Sequence, residues 1–146
     1  MEKEKDFLVV VGTAFVRDGK LLISMSKRSA KKGKYTLVGG GVEPHDASIK
    51  AAARRECQEE IGNGFDILEE ELEEVLVFRE PSLSDPENLD IEMHMMLALK
   101  DVDVELVPND EILGFKWHAL GDDISMVSTA IKDHFIPWAK ENGVMY

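Results

Sequence analysis

Three consecutive glycines, Gly39, Gly40 and Gly41, stand a few residues ahead of an Ala-rich segment, Ala47 to Ile61, that lacks both Pro and Gly and stops at Gly62. This pattern predicts a helix ended by a left-handed glycine cap and preceded by backbone that other groups can approach closely. Asp46 or Ser48 is placed to cap the start, and Ala53, Cys57 and Ile61 form a narrow apolar stripe for packing on a sheet. On the same helix Glu56 shares a face with both Glu59 and Glu60. Such crowding costs up to ~0.5 kcal/mol per like-charged pair and raises neighbouring pKa values, but a hard divalent cation reverses the sign.

Mg²⁺ takes oxygen ligands and keeps waters and phosphate oxygens beside a few carboxylates, so Glu56, Glu59 and Glu60 are candidate metal ligands. The glycine segment offers a carbonyl to the metal or amides to a phosphate, and Arg55 is placed to orient a glutamate or to meet a phosphate. Taken singly, a Glu-rich helix is most often a solvated, salt-bridged face and a triple glycine is most often a turn. Their succession at this distance favours a site.

Around this segment the chain reads as strands. Phe7 to Arg17 and Leu21 to Met25 flank Asp18-Gly19, a hairpin signal, and Tyr35 to Val38 forms a short apolar piece before the glycines. Lys27, Arg28, Lys31, Lys32 and Lys34 read as a solvated loop, in which Arg28 is the best candidate for substrate phosphate. Val75 to Phe78, Ile91 to Leu99 and Phe115 to Ala119 are further strands, with Glu80 to Asn88 as a proline-containing loop. Asp123 to Glu141 reads as a closing helix that Pro137 kinks or ends early. Met93, Met95 and Met96 read as core or interface, and Trp117 and Trp138 as packing; no histidine has partners at ligand spacing. Strands, helix, strands, helix predict an α/β fold with a mixed sheet covered on both faces, in one domain over residues 1–146.

Seventeen Lys and Arg against 29 Asp and Glu give a net charge of -12, which disfavours nucleic acid but not a small phosphorylated substrate accompanied by a cation. The single cysteine, Cys57, allows no intrachain disulfide. With a charged Met-Glu-Lys-Glu-Lys-Asp start and no long apolar run, a cytoplasmic protein without a membrane partner is expected. A homodimer is left open.

The run Arg55-Glu56-Cys57-Gln58-Glu59-Glu60-Ile61-Gly62 resembles the second half of the Nudix signature, in which Gly, five residues, Glu and seven residues precede Arg-Glu-aliphatic-any-Glu-Glu-any-Gly-aliphatic. The first half departs from it. Counting from Gly40 puts Asp46 in the glutamate slot and leaves eight residues before Arg55, while counting from Gly41 puts Ala47 there. Asn63 and Val38 also depart, and the added residue is expected to be absorbed near His45 to Ser48 without disturbing the helix register.

The resemblance implies an α/β/α sandwich, metal coordination by Glu56, Glu59 and Glu60 with the Gly39 carbonyl, and Arg55 as the residue that orients the glutamates. It implies Mg²⁺, with Mn²⁺ as an alternative, and hydrolysis of a nucleoside diphosphate derivative, a small nucleotide-type substrate. A general base from outside the signature is implied too, with Glu111 and Glu92 as the candidates. The rival reading is a catalytically silent domain that binds a nucleotide, supported by the altered spacing before Arg55.

Overall fold

The computed structural model describes residues 6–82 and 85–146, so Met1 to Lys5 and two positions in the Glu80 to Asn88 stretch lie outside the described residues. In chain order the strands are β1 (Asp6–Ala14), β2 (Val16–Arg17), β3 (Lys20–Ser26), β4 (Val38–Gly41), β5 (Leu72–Pro81), β6 (Leu89–Ala98) and β7 (Ile112–His118). The helices are α1 (Lys27–Ala30), α2 (Ile49–Ile61) and α3 (Ile136–Glu141), the last continuing a wide π-type stretch, Ala130–Phe135. One sheet has the order β4-β1-β6-β5, with β1 and β6 parallel and the other pairs antiparallel; β2, β3 and β7 form a second, antiparallel sheet.

The four-stranded sheet separates two cores. Val11, Val38 and Met96 face Ala52, Ala53, Cys57 and Ile61 of α2, whereas Ala14, Leu37 and Met95 face Ile131, Phe135 and Ala139 of the C-terminal helix. β6 is therefore apolar at successive positions, since Met95 and Met96 are both buried but on opposite faces. Strand β3 serves both cores, through Leu22 on one side and Leu21 and Ile23 on the other. The layers form the expected α/β/α sandwich. Trp117 and Trp138 pack at the margins of the two cores.

Local chemistry explains the element ends. Ser48, rather than Asp46, caps α2, accepting from the Ala51 amide, and Gly62 ends it at φ 63°. Asp18 and Gly19 turn the β2–β3 hairpin with φ of 52° and 75°.

Four expectations are corrected. The basic stretch is not all loop, because Ser26 and Ser29 exchange side-chain and backbone hydrogen bonds in a capping box that starts α1. The closing helix begins later than Asp123, whose carboxylate is taken up by the Ser125 amide and hydroxyl, a local bond that competes with helix. Pro137 does not end that helix; it falls where the π-type stretch gives way to α3, so its missing N–H is accommodated at the change of pattern. Strand β5 runs on to Pro81, which places Glu80 in the sheet rather than in a loop. Among the described residues no helix is long and apolar enough to cross a membrane.

The glycines of β4 differ in what they make room for. A Cβ on Gly39 would collide with the Val11 carbonyl oxygen, whereas one on Gly41 would meet nothing within 4 Å. Gly39→Ala is expected to cost about 2 kcal/mol or more through a forced backbone shift, and Gly41→Ala less than about 0.5 kcal/mol, both read from urea denaturation.

Candidate active site

Helix α2 lies so close to β4 that a Cβ on Gly40 would come within 2.7 Å of Glu56 Oε1. The small residues of its apolar stripe permit that approach. Glu56 and Glu60 are thereby buried, at 8% and 5% exposure, while the Glu59 side chain stays 44% exposed. The Gly39 amide donates to both Glu60 oxygens, at 3.2 and 3.3 Å.

Arg55 organises the rest. Its Nε and Nη2 donate to the two oxygens of Asp46, each at 2.9 Å, and Nη2 also donates to the Gly41 carbonyl at 3.1 Å. Nη1 donates to Glu56 at 2.9 Å and Glu59 at 3.3 Å. Asp46, in the stretch just ahead of the Ser48 cap, is thereby tied to Arg55 on α2. The Arg55 fork holds the Asp46 carboxyl down at about 2 despite its burial.

The buried glutamates shift the other way. Desolvation pushes Glu60 up to about 8, with the charges of Glu56, Glu111 and Glu59 adding to it and only the Gly39 amide opposing. Glu56 is likewise raised by burial, opposed by Arg55. Cys57, in the signature's aliphatic slot, has a buried thiol pushed up to about 12 and serves as packing.

Glu111 is linked through Asn109 to the end of α2 that carries Glu60. Asn109 fixes it there: the side-chain amide donates to the Glu60 carbonyl at 2.6 Å, and Oδ1 accepts from the Glu111 and Ile112 amides at 2.9 and 3.0 Å. Glu92 is elsewhere on the sheet, bonded to Arg79 and His94 and held below its ordinary range by them. His94 sits between Glu92 and Glu74, so this histidine has acidic partners that sequence spacing did not reveal. Asn109 reads in sequence only as part of a turn ahead of a strand. Its bond to the end of α2 links positions 49 residues apart and leaves no local signal.

Between the sheet and the C-terminal helix lies a cleft of about 300 Å³. Gly39 and Gly40 form one margin, Arg28 and Lys32 another, and Val10, Met93 and Met95 line the sheet side. Gly39 and Gly40 border the cleft and also contact the buried glutamates, Gly39 through its amide to Glu60 and Gly40 by lying against Glu56, although none of the α2 glutamates lines the cleft itself.

The buried carboxylate sets a pH dependence. Since the folded Glu60 pKa is raised above its ordinary 4.5, its contribution to stability is complete below about pH 4.5 and is lost as pH rises through about 8. With chelator present, the denaturation midpoint should fall over that window, and Glu60→Gln should flatten the fall. An equally steep fall in both proteins would contradict the burial of this charge.

A family model described as a NUDIX domain matches residues 6–139. Comparison with curated protein sequences finds no match. Among solved structures, the MutT NUDIX hydrolase from Burkholderia pseudomallei aligns with a TM-score of 0.69 at 24% identity, over 88% of this chain and 95% of that one. The E. coli ORF135 protein aligns with a TM-score of 0.70 at 20% identity, over 96% and 94%. A bifunctional NMN adenylyltransferase/ADP ribose pyrophosphatase from Francisella tularensis, complexed with AMP and Mn ion, aligns at 0.68 and 21% identity, over 97% of this chain but 43% of that one. Structural likeness at such identities establishes the fold, and the family model, which spans most of the chain, establishes the family: the chain belongs to the Nudix family.

Proposed function

We propose that the protein is a Mg²⁺-dependent hydrolase that cleaves a nucleoside diphosphate derivative, NDP-X, into a nucleoside monophosphate and X-phosphate. The observation that carries this reading is the pair of buried, mutually repelling carboxylates, Glu56 and Glu60, at the glycine gap that opens into the cleft.

The donor set fits a hard divalent ion. Its atoms are carboxylate oxygens, and their burial leaves charge that a cation offsets. Among the described residues no three acidic, histidine or cysteine side chains already form a cage, because Arg55 draws Glu56 and Glu59 to itself and Gly39 holds Glu60. Glu59 is exposed and held by a single 3.3 Å contact, so it is the ligand most free to turn. Glu56, Glu59 and Glu60, with the Gly39 carbonyl, would hold Mg²⁺ or Mn²⁺, which when bound supplies charge neutralisation of the diphosphate and acidifies water.

The chain's own residues supply the remainder. Arg55 keeps the glutamates in place against their repulsion, and Arg28 and Lys32 at the cleft margin neutralise phosphate oxygens. Glu111 accepts the proton as water attacks phosphorus and the anhydride bond to X-phosphate breaks. No covalent intermediate is needed. The two Asp46 contacts to Arg55 favour the hydrolase over the rival reading of a catalytically silent, nucleotide-binding domain.

Incubating the protein and Mg²⁺ with a panel of nucleotide pyrophosphates, with chromatographic separation of products, tests this. A monophosphate should be released from at least one compound and chelator should abolish the release; inactivity across the panel with several divalent ions would refute the proposal. Glu59→Gln should cut turnover ~100-fold or more and weaken the rise in Tm on adding Mg²⁺, while Glu70→Gln should behave as the parent.

A second comparison separates the two candidate bases. Glu111→Gln should lower kcat by ~100-fold with little change in KM, and Glu92→Gln should leave kcat unchanged. The reverse pattern would transfer the role to Glu92.

A further inference from the structure

The cleft is electrically polar along its length. Its cationic end is set by Arg28 and Lys32, and the first residue of α1 donates its amide to the Glu111 carbonyl at 3.0 Å, which places this end beside the carboxylate cluster. The opposite end holds Glu80, the only acidic side chain that lines the cleft among the described residues. A phosphate is repelled from Glu80, so the substrate's phosphates lie at the glycine end and its other end reaches β5.

The sheet measures that interval. Gly39 pairs with Gly12 and Glu80 with Ile91, which pairs with Leu8, so the two positions are separated by three strand spacings and four residues. This is about 14 Å across and about 13 Å along the strands, or about 19 Å corner to corner. Once side chains close part of it at both ends, the gap is of the order of an extended nucleoside diphosphate. Val10 and Met93 supply an apolar surface along the way.

Glu80 is built to be aimed. Its side chain is 15% exposed, Oε1 accepts from Thr129 Oγ1 at 3.2 Å, and Oε2 lies 3.6 Å from His134 Nε2. The His134 ring is itself stacked on Phe78, 3.6 Å between centroids, so this flanking group is held in place. Burial raises the Glu80 pKa, while Thr129 and His134 favour the ionised form. A partly desolvated carboxylate with an open side toward the cleft gains from two further N–H donors.

We propose that Glu80 is a specificity-determining residue that reads the nucleobase and selects one with two adjacent N–H donors, the guanine-type N1–H and amino edge. Adenine and cytosine set a ring-nitrogen acceptor beside their amino group, and uracil flanks its single N–H with carbonyls, so each turns an acceptor toward the carboxylate. The proposal rests on the pyrophosphohydrolase reading for the direction in which the substrate lies.

The test uses binding as well as turnover. Affinities for the four nucleoside α,β-methylene diphosphates, which resist cleavage between these phosphates, are measured by calorimetry with Mg²⁺ present, beside kcat/KM for the four nucleoside triphosphates. The guanosine compounds should lead by about 10-fold or more. Glu80→Gln offers one acceptor and one donor, a pair that an edge of every base can meet, so it should abolish the guanosine preference by weakening the guanosine compounds more than the others. Glu80→Asp keeps the charge and should retain the guanosine preference with weaker binding, which covers the case in which Glu80→Gln folds poorly. Equal affinity of the parent for all four bases, or equal weakening of all four by Glu80→Gln, would overturn the assignment and leave Glu80 as a structural partner of Thr129 and His134. Cleavage without base preference would remove this inference alone, and guanosine-selective binding without cleavage of any anhydride would remove the hydrolase reading alone.

Discussion

The site depends on one guanidinium. Arg55 reaches the loop through Asp46, the strand through the Gly41 carbonyl, and its own helix through Glu56 and Glu59. Five donors in a rigid plane let a single side chain tie three segments together, which a lysine ammonium would not do with the same geometry. Without that fork, α2 would carry its glutamates beside β4 with little to oppose their repulsion. The loop ahead of Ser48 would also lose the guanidinium to which its Asp46 is tied.

The close approach of α2 to β4 follows from residues that have almost no side chain. Ala52, Ala53 and Cys57 on the helix, and Gly39 and Gly40 on the strand, bring the Glu56 carboxylate almost against the backbone. The same two glycines also border the cleft. Bulk at Gly39 or Gly40 would therefore affect both the stability of the sheet and the connection between the cleft and the carboxylates.

Charge is arranged against the overall balance. In the proposed function, a chain with net charge -12 would meet a phosphorylated substrate through Arg28 and Lys32 at the cleft margin and through a cation offsetting its clustered acids. Glu60, raised to about 8 mainly by burial and further by its acidic neighbours, illustrates how such a cluster departs from the arrangement that stability alone favours.

Much of this was legible in the sequence, because its causes are local. Helix α2, its glycine stop and the face shared by Glu56, Glu59 and Glu60 follow from helical periodicity, and the β2–β3 turn follows from Asp18-Gly19. The Arg-Glu run with its spacing was enough to point to the family. Other features have causes far apart in the chain. Asp46 was visible as a misplaced acid, but its capture by Arg55 needed the fold of the loop. Glu111 and Glu92 looked alike until the Asn109 bond to the end of α2 set one beside the cluster, while Arg79 and His94 held the other away. Glu80 read as a loop acid until pairing with β6 extended β5 and directed it into the cleft. Spacing along a chain determines which side chains share a helix face. Only the packing of distant segments decides which acids lose their water and meet each other, and desolvation and proximity are what turn a carboxylate into part of a site.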